Sequence, residues 1–134
     1  MRIYITHCSA TKNIKLKNTR IKVFPDKLYT AIPTQRFMNK CKTMGVDWAI
    51  FSDKYGIWFP NIKHTWYEKN PSAITITDQH FSWLLNDFNK KLQAYNEIWF
   101  YYNPGRFHRL YKSLLRKVKG EWKLKKFTHI KNIV

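Results

Sequence analysis

Three short apolar runs constrain this chain more than any other feature. Ile3-Tyr4-Ile5-Thr6, Trp48-Ala49-Ile50-Phe51 and Glu97-Ile98-Trp99-Phe100-Tyr101 are rich in β-branched and aromatic residues, and each breaks into a polar turn. Between them the apolar residues recur at the spacing of one helix face. From Pro33-Thr34 to Met44 the inward stripe is Phe37, Met38, Cys41 and Met44, and Gly45 stops the helix. A second helix, capped by Thr77, buries Phe81, Leu84, Leu85, Phe88, Leu92 and Tyr95. A third carries Phe107, Leu110, Tyr111, Leu114, Leu115 and Val118 and ends at Gly120. Trp122 to Ile130 alternates and supplies a last strand. Strands separated by helices call for crossover connections. The expected fold is therefore α/β, a small three-layer sandwich with a mostly parallel four-stranded sheet in a single domain, 1–134.

Ligands of open α/β sheets bind in the crevice beyond the carboxyl ends of the strands. That places His7-Cys8-Ser9, Ser52-Asp53-Lys54-Tyr55-Gly56 and Asn103-Pro104-Gly105 at one edge. Two segments fall outside the alternation. Residues 13–27 form a basic flap or hairpin exposing Lys15, Lys17, Arg20 and Lys22. Residues 57–76 form an aromatic loop in which Trp58, Phe59, Trp66 and Tyr67 interleave with Lys63, His64 and Lys69. That mixture suits base stacking with backbone tracking, or equally a lid packed on the core.

Charge limits the partners. Lys and Arg outnumber Asp and Glu by 25 to 8, giving a formal net charge of +17. Self-repulsion on that scale is relieved by a polyanion, nucleic acid first and an anionic membrane surface second. A lysine-rich proteome is the alternative source of the same excess. No apolar run approaches the roughly 18 residues of a spanning helix, so no spanning segment is expected, and nucleic acid rather than a membrane is the expected partner. Nothing at the start reads as a signal peptide, and the expected location is cytoplasmic, with both thiols reduced. The two cysteines, Cys8 and Cys41, have no zinc-ligand spacing, and no cofactor or metal site is expected.

At the turns, Cys8 reads either as a nucleophile activated by His7 and Lys12 or as a small buried residue at a strand end. Ser9 and Lys12 suit anion binding through a nest of backbone N–H groups plus a point charge. The missing glycines exclude a P-loop. Asp53 reads as a base or water-orienting carboxylate, or as compensation for Lys54. Ser52, Tyr55 and Tyr67 are candidate ligand contacts, and Gly56 is expected at positive φ, letting a ligand approach the backbone. His80 and His108 read as helix-surface residues. Arg106, Arg109, Lys112, Arg116 and Lys117 form a cationic helix face with no interleaved acid. Together with the flap, that face reads as a phosphate-backbone footprint.

These turns resemble a family of small bacterial, archaeal and phage domains of unassigned function. Its pattern appears here as Cys8-Ser9-Ala10-Thr11-Lys12, Leu28-Tyr29-Thr30, Ser52-Asp53-Lys54-Tyr55-Gly56-Ile57 and Tyr67. More distantly, the Ser52 turn is similar to that of the YaaA peroxide-stress family, and the Cys8 turn to one in the glycosylase-like domain of archaeosine synthases. Asp53 departs from the pattern, which favours a small residue there. The resemblance implies a uracil-DNA-glycosylase-like sandwich in a nucleobase or nucleic-acid setting, and supplies no catalytic roles. The expected function is nucleic-acid binding (DNA or RNA) with a nucleobase or nucleotide handled at the strand ends, by a glycosylase or base-exchange activity in modification or repair. A non-catalytic DNA- or RNA-binding module is the alternative. A metal nuclease would want clustered carboxylates, which eight scattered acids do not supply.

Overall fold

The computed structural model describes residues 1–68 and 71–134, and only the backbone at Arg106. Five strands, β1 (Arg2–His7), β2 (Asp47–Ser52), β3 (Gly56–Trp58), β4 (Glu97–Tyr101) and β5 (Lys123–Phe127), form one sheet in the order β3-β2-β1-β4-β5. β1 pairs parallel with β2 and β4, and β4 parallel with β5. β3 runs antiparallel to β2. The expected four-stranded sheet is thus a five-stranded mixed one. The fifth strand comes from the start of the 57–76 segment, where a turn at Asp53-Lys54-Tyr55 and Gly56 at φ 71° fold the chain back onto β2.

Four helices accompany the sheet: α1 (Pro25–Leu28), α2 (Ile32–Met44), α3 (Gln79–Lys91) and α4 (Arg109–Lys117). Strand residues alternate between faces, so Tyr4, Trp48 and Tyr101 point one way and His7 and Phe51 the other. α2 packs its Phe37 against Trp48 and Tyr101 on the first face. α3 and α4 cover the second, through Phe88 and Tyr111 against Phe51 and Tyr111 against His7. The central strands are buried on both sides, which is why their sequences are continuous apolar runs. β5 is an edge strand and exposes Lys123, Lys125 and Lys126.

Several elements differ from their sequence expectation for local reasons. α3 is capped by Asp78, not Thr77, because the Asp78 carboxylate accepts the His80 N–H at 2.8 Å. Met44, at the last turn of α2, is 41% exposed and leaves the inward stripe. Residues 13–27 form no hairpin. Asn13 accepts the Lys15 N–H and closes a 3-10 turn at Ile14–Leu16, and Asn18 at φ 60° then reverses the chain. Leu16 is buried by this turn while Ile14 and Ile21 stay exposed. Val23 exchanges two 2.9 Å backbone hydrogen bonds with His64, pinning the segment to the aromatic loop. Among the described residues no helix is long and apolar enough to cross a membrane.

Candidate functional site at the strand ends

Cys8 extends β1 by one residue, its N–H donating to the Phe51 carbonyl at 2.9 Å. The Ser9-Ala10 turn that follows stands between two clefts. The larger, about 540 Å³, opens on the β2 side and is walled by Lys12, Asp53, Trp66 and Tyr67. The smaller, about 340 Å³, opens on the β4 side, between His7, Thr34, Tyr101, His108 and Tyr111. Cys8, Ser9 and Ala10 belong to both.

Behind the larger cleft lies a chain of buried polar groups. The Cys8 thiol donates to Asp53 Oδ1 at 3.4 Å and accepts from the Asp53 N–H at 3.4 Å. The Tyr111 hydroxyl lies 2.8 Å from Cys8 Sγ. Beside them the Tyr29 and Tyr67 hydroxyls meet at 2.5 Å, and Ser52 Oγ donates to Tyr67 at 3.2 Å. Ser52 Oγ also accepts the N–H groups of Lys54 and Tyr55, which shapes the β2 turn. From α3, the His80 Nε2 sits 2.6 Å from the Asp53 carbonyl and holds that turn from behind. Asp53 is a nearly buried carboxylate, 2% exposed, with a thiol as its side-chain partner.

Electrostatics settle the state of the thiol. Burial, and then the Asp53 charge, push Cys8 up to about 12, so it is protonated at neutral pH and acts as a donor. Its side chain meets Asp53 and Tyr111, whereas His7 and Lys12, its neighbours in sequence, are turned elsewhere. The His7 ring stacks on Tyr111 at 5.3 Å, and Lys12 Nζ lies 4.5 Å above the Tyr67 ring. Burial also holds Tyr29, Tyr67 and Tyr111 well above the usual phenol range and His7 below the usual imidazole range. Lys54 Nζ also lies 5.8 Å from the centre of the Tyr67 ring. Trp66 presents a buried indole N–H without a partner in the wall of this cleft. The cleft thus offers two carboxylates, the nearly buried Asp53 and the exposed Glu68 paired with Lys17, together with the Lys12 cation and an aromatic wall.

No family model, curated protein or solved structure matches this chain. Its own geometry carries the functional reading.

Of the residues singled out from sequence, Cys8, Ser9, Lys12, Asp53 and Tyr67 converge on the larger cleft. Ser52, fully buried, lies beneath Tyr67 and serves the turn. Tyr55 stacks on His64 at 3.9 Å and donates its hydroxyl to the Thr65 carbonyl, away from the cleft. Gly56 has the expected positive φ, but what approaches it is the Asp87 carboxylate: a Cβ there would run into Asp87, which accepts the Ile57 N–H at 2.7 Å. Lys15, Lys17, Arg20 and Lys22 are exposed, Lys17 in an ion pair with Glu68 at 3.5 Å. Arg109, Lys112, Arg116 and Lys117 are exposed on α4, and among the described residues no ion pair involves them. Lys69 and the Arg106 side chain lie outside the described residues. His80 and His108 are not plain surface residues, since one braces Asp53 and the other caps α4. Sequence reasoning passed over Tyr29 and Thr34 as site residues, singled out Trp66 only as one of the loop's stacking aromatics, and took Tyr111 for core. Tyr29 stands in the quoted motif, so its signal was present. Nothing in the spacing distinguishes Tyr111 from the rest of its apolar stripe.

Proposed function

We propose that this chain is a basic nucleic-acid-binding domain that takes a nucleobase or nucleotide into the cleft beside Asp53, in a DNA or RNA modification or repair setting. A uracil-DNA-glycosylase-like arrangement and the resemblance at the Cys8 and Ser52 turns belong to the same reading. The observation that carries it is the juxtaposition of Asp53, Lys12 and Tyr67 in one cleft of a chain with net charge +17. An extruded base would stack against Tyr67 or Trp66, with the Asp53 carboxylate reading its polar edge. Lys12 would meet the adjoining phosphate, and the α4 cations would track the backbone. In a catalytic version Asp53 is the group placed to orient water or accept a proton, and the protonated Cys8 thiol holds its carboxylate. The non-catalytic binding module remains the competing reading, and the coverage of Ser52 by Tyr67 favours it, since that turn is filled from within.

The test is binding to duplex DNA, single-stranded DNA and tRNA across a salt series. A log–log slope of about −0.9 per duplex phosphate, or about −0.7 per single-strand phosphate, is expected over at least three contacts. Lys12→Ala should flatten it by about one contact. Weak binding that ignores both salt and nucleic-acid form overturns the reading.

A further inference from the structure

We propose that the smaller cleft, between β1 and β4, is a phosphate subsite seated on the N-terminus of α2 and completed by Thr34. It deepens the reading above and rests on it for the source of the phosphate, a nucleotide or a nucleic-acid end. The cleft lies where the sheet order turns. β1 leaves through α2 against one face and β4 through α4 against the other, so two helix N-termini converge between these strand ends. Ala31, at the N-cap of α2, makes no side-chain bond, and no acid occupies the first turn of either helix. The first-turn N–H groups of Ile32 and Thr34 therefore have no capping partner, and the helix dipole is left uncompensated.

An independent observation points to a ligand. Thr34 is 6% exposed and lines the cleft, and among the described residues its hydroxyl makes no hydrogen bond. The hydroxyl is not sealed in the core, where the Trp66 N–H is the only described side-chain group left unsatisfied, and it stands at the cleft wall in the first turn of α2, whose N-terminus is the kind of backbone end that binds anions. α4 contributes field but few donors, because His108 Nδ1 already accepts the Leu110 N–H at 3.0 Å and its Nε2 lies 3.0 Å from Ser72 Oγ. No carboxylate is among the described wall residues. The rest of the wall mixes the aromatic faces of Tyr101 and Tyr111 with neutral polar groups such as Thr11 and Asn103, and about 340 Å³ is at the small end of the range of ligand pockets. A phosphate carrying an organic group fits this better than a bare ion.

The full-length chain would be titrated with inorganic phosphate, a nucleoside 5′-monophosphate, and one oligonucleotide with and without a 5′-phosphate, while backbone amide resonances are followed. The Ile32 and Thr34 amides are expected to move with each phosphate, and the 5′-phosphate should tighten oligonucleotide binding about tenfold, the scale of one hydrogen bond to a charged group. Thr34→Val should bring the phosphorylated-to-unphosphorylated ratio close to one, and Thr34→Ser should keep it. Should Thr34→Val fold poorly, the amide shifts and the serine variant still decide. Equal affinity with and without the 5′-phosphate in the unaltered protein, with Ile32 and Thr34 unmoved, overturns the subsite and leaves salt-dependent oligonucleotide binding standing. Monophosphate binding that moves these amides without any oligonucleotide binding keeps the subsite, assigns it to a free nucleotide, and overturns the nucleic-acid reading instead.

Discussion

Gly56→Ala tests the turn on which the Asp53 side of the site depends. Gly56 has φ 71°, where a Cβ costs roughly 1–2 kcal/mol. A less flexible unfolded chain returns about 0.4–1 kcal/mol, so the backbone effect alone is about 1 kcal/mol. The larger effect is Asp87, whose carboxylate occupies the space a Cβ would take. Displacing it breaks the hydrogen bond from the Ile57 N–H at 2.7 Å, about 1.5–3 kcal/mol for a charged acceptor. It also disturbs the Lys91–Asp87 pair at 2.9 Å, worth about 0.3–0.5 kcal/mol. The expected loss is about 3–4 kcal/mol, read as a lower urea midpoint at unchanged m-value. A double-mutant cycle isolates the cause. In an Asp87→Ala background Gly56→Ala should cost only about 1 kcal/mol, leaving a coupling of about 2–3 kcal/mol. A loss near 1 kcal/mol in both backgrounds would show that Asp87 does not constrain the turn, and the argument for its packing role would fail.

Other expectations follow from the same geometry. His7 is held below its usual value by burial, so its stabilising contribution is present above about pH 6.5 and is lost as pH falls through the lower folded value. The urea midpoint should drop between pH 7.5 and 5.5, less steeply in His7→Asn, with His64 shifted in the same direction and supplying the remainder; parallel declines in both proteins would refute this. Cys8 and Cys41, both buried and both pushed up to about 12, should be silent toward a disulfide reagent at pH 8 until denaturant is added, and one thiol reacting within seconds would restore Cys8 as a nucleophile. Neutralising Arg109, Lys112 and Arg116 together should reduce the salt slope by about two to three units. An equal reduction from Arg36, Lys40 and Lys42 on α2 would deny α4 any special place.

The strands that position the site were legible because the central ones are buried on both faces and so carry unbroken apolar runs. β3 was not, since a three-residue strand has too little sequence to alternate and its signal is a single glycine at a turn. The basic flap read as a hairpin because Ile14, Leu16, Ile21 and Val23 alternate with cations. Asn13 and Asn18 decided otherwise, one by capping a turn and the other by adopting positive φ. For the site, the turns after β1 and β2 were located correctly, but sequence adjacency misled at Cys8. His7 and Lys12 lie on opposite sides of the turn, and the real partners, Asp53 and Tyr111, come from 45 and 103 residues away. Thr34 carried no pattern at all. Its interest comes from its place in the cleft wall at the first turn of α2, which only the packed structure reveals.

The cations themselves divide into two kinds, and the division matters for any test of function. β5 ends the sheet with an open edge, and exposed lysines on such an edge hinder pairing with another chain. Lys123, Lys125 and Lys126 therefore have a structural reason to be charged whatever the protein binds. Lys125 has a second one, since its Nζ lies 4.2 Å from the centre of the Trp99 ring. Arg109, Lys112, Arg116 and Lys117 have neither reason. They stand on a helix whose opposite face buries Leu110, Tyr111, Leu114 and Leu115, and they repel one another across successive turns without an acid to offset them. Like charges at this spacing lower the stability of their own helix, so their concentration there calls for a compensating anion. The α4 face, more than the +17 total, is where the nucleic-acid reading stands or falls.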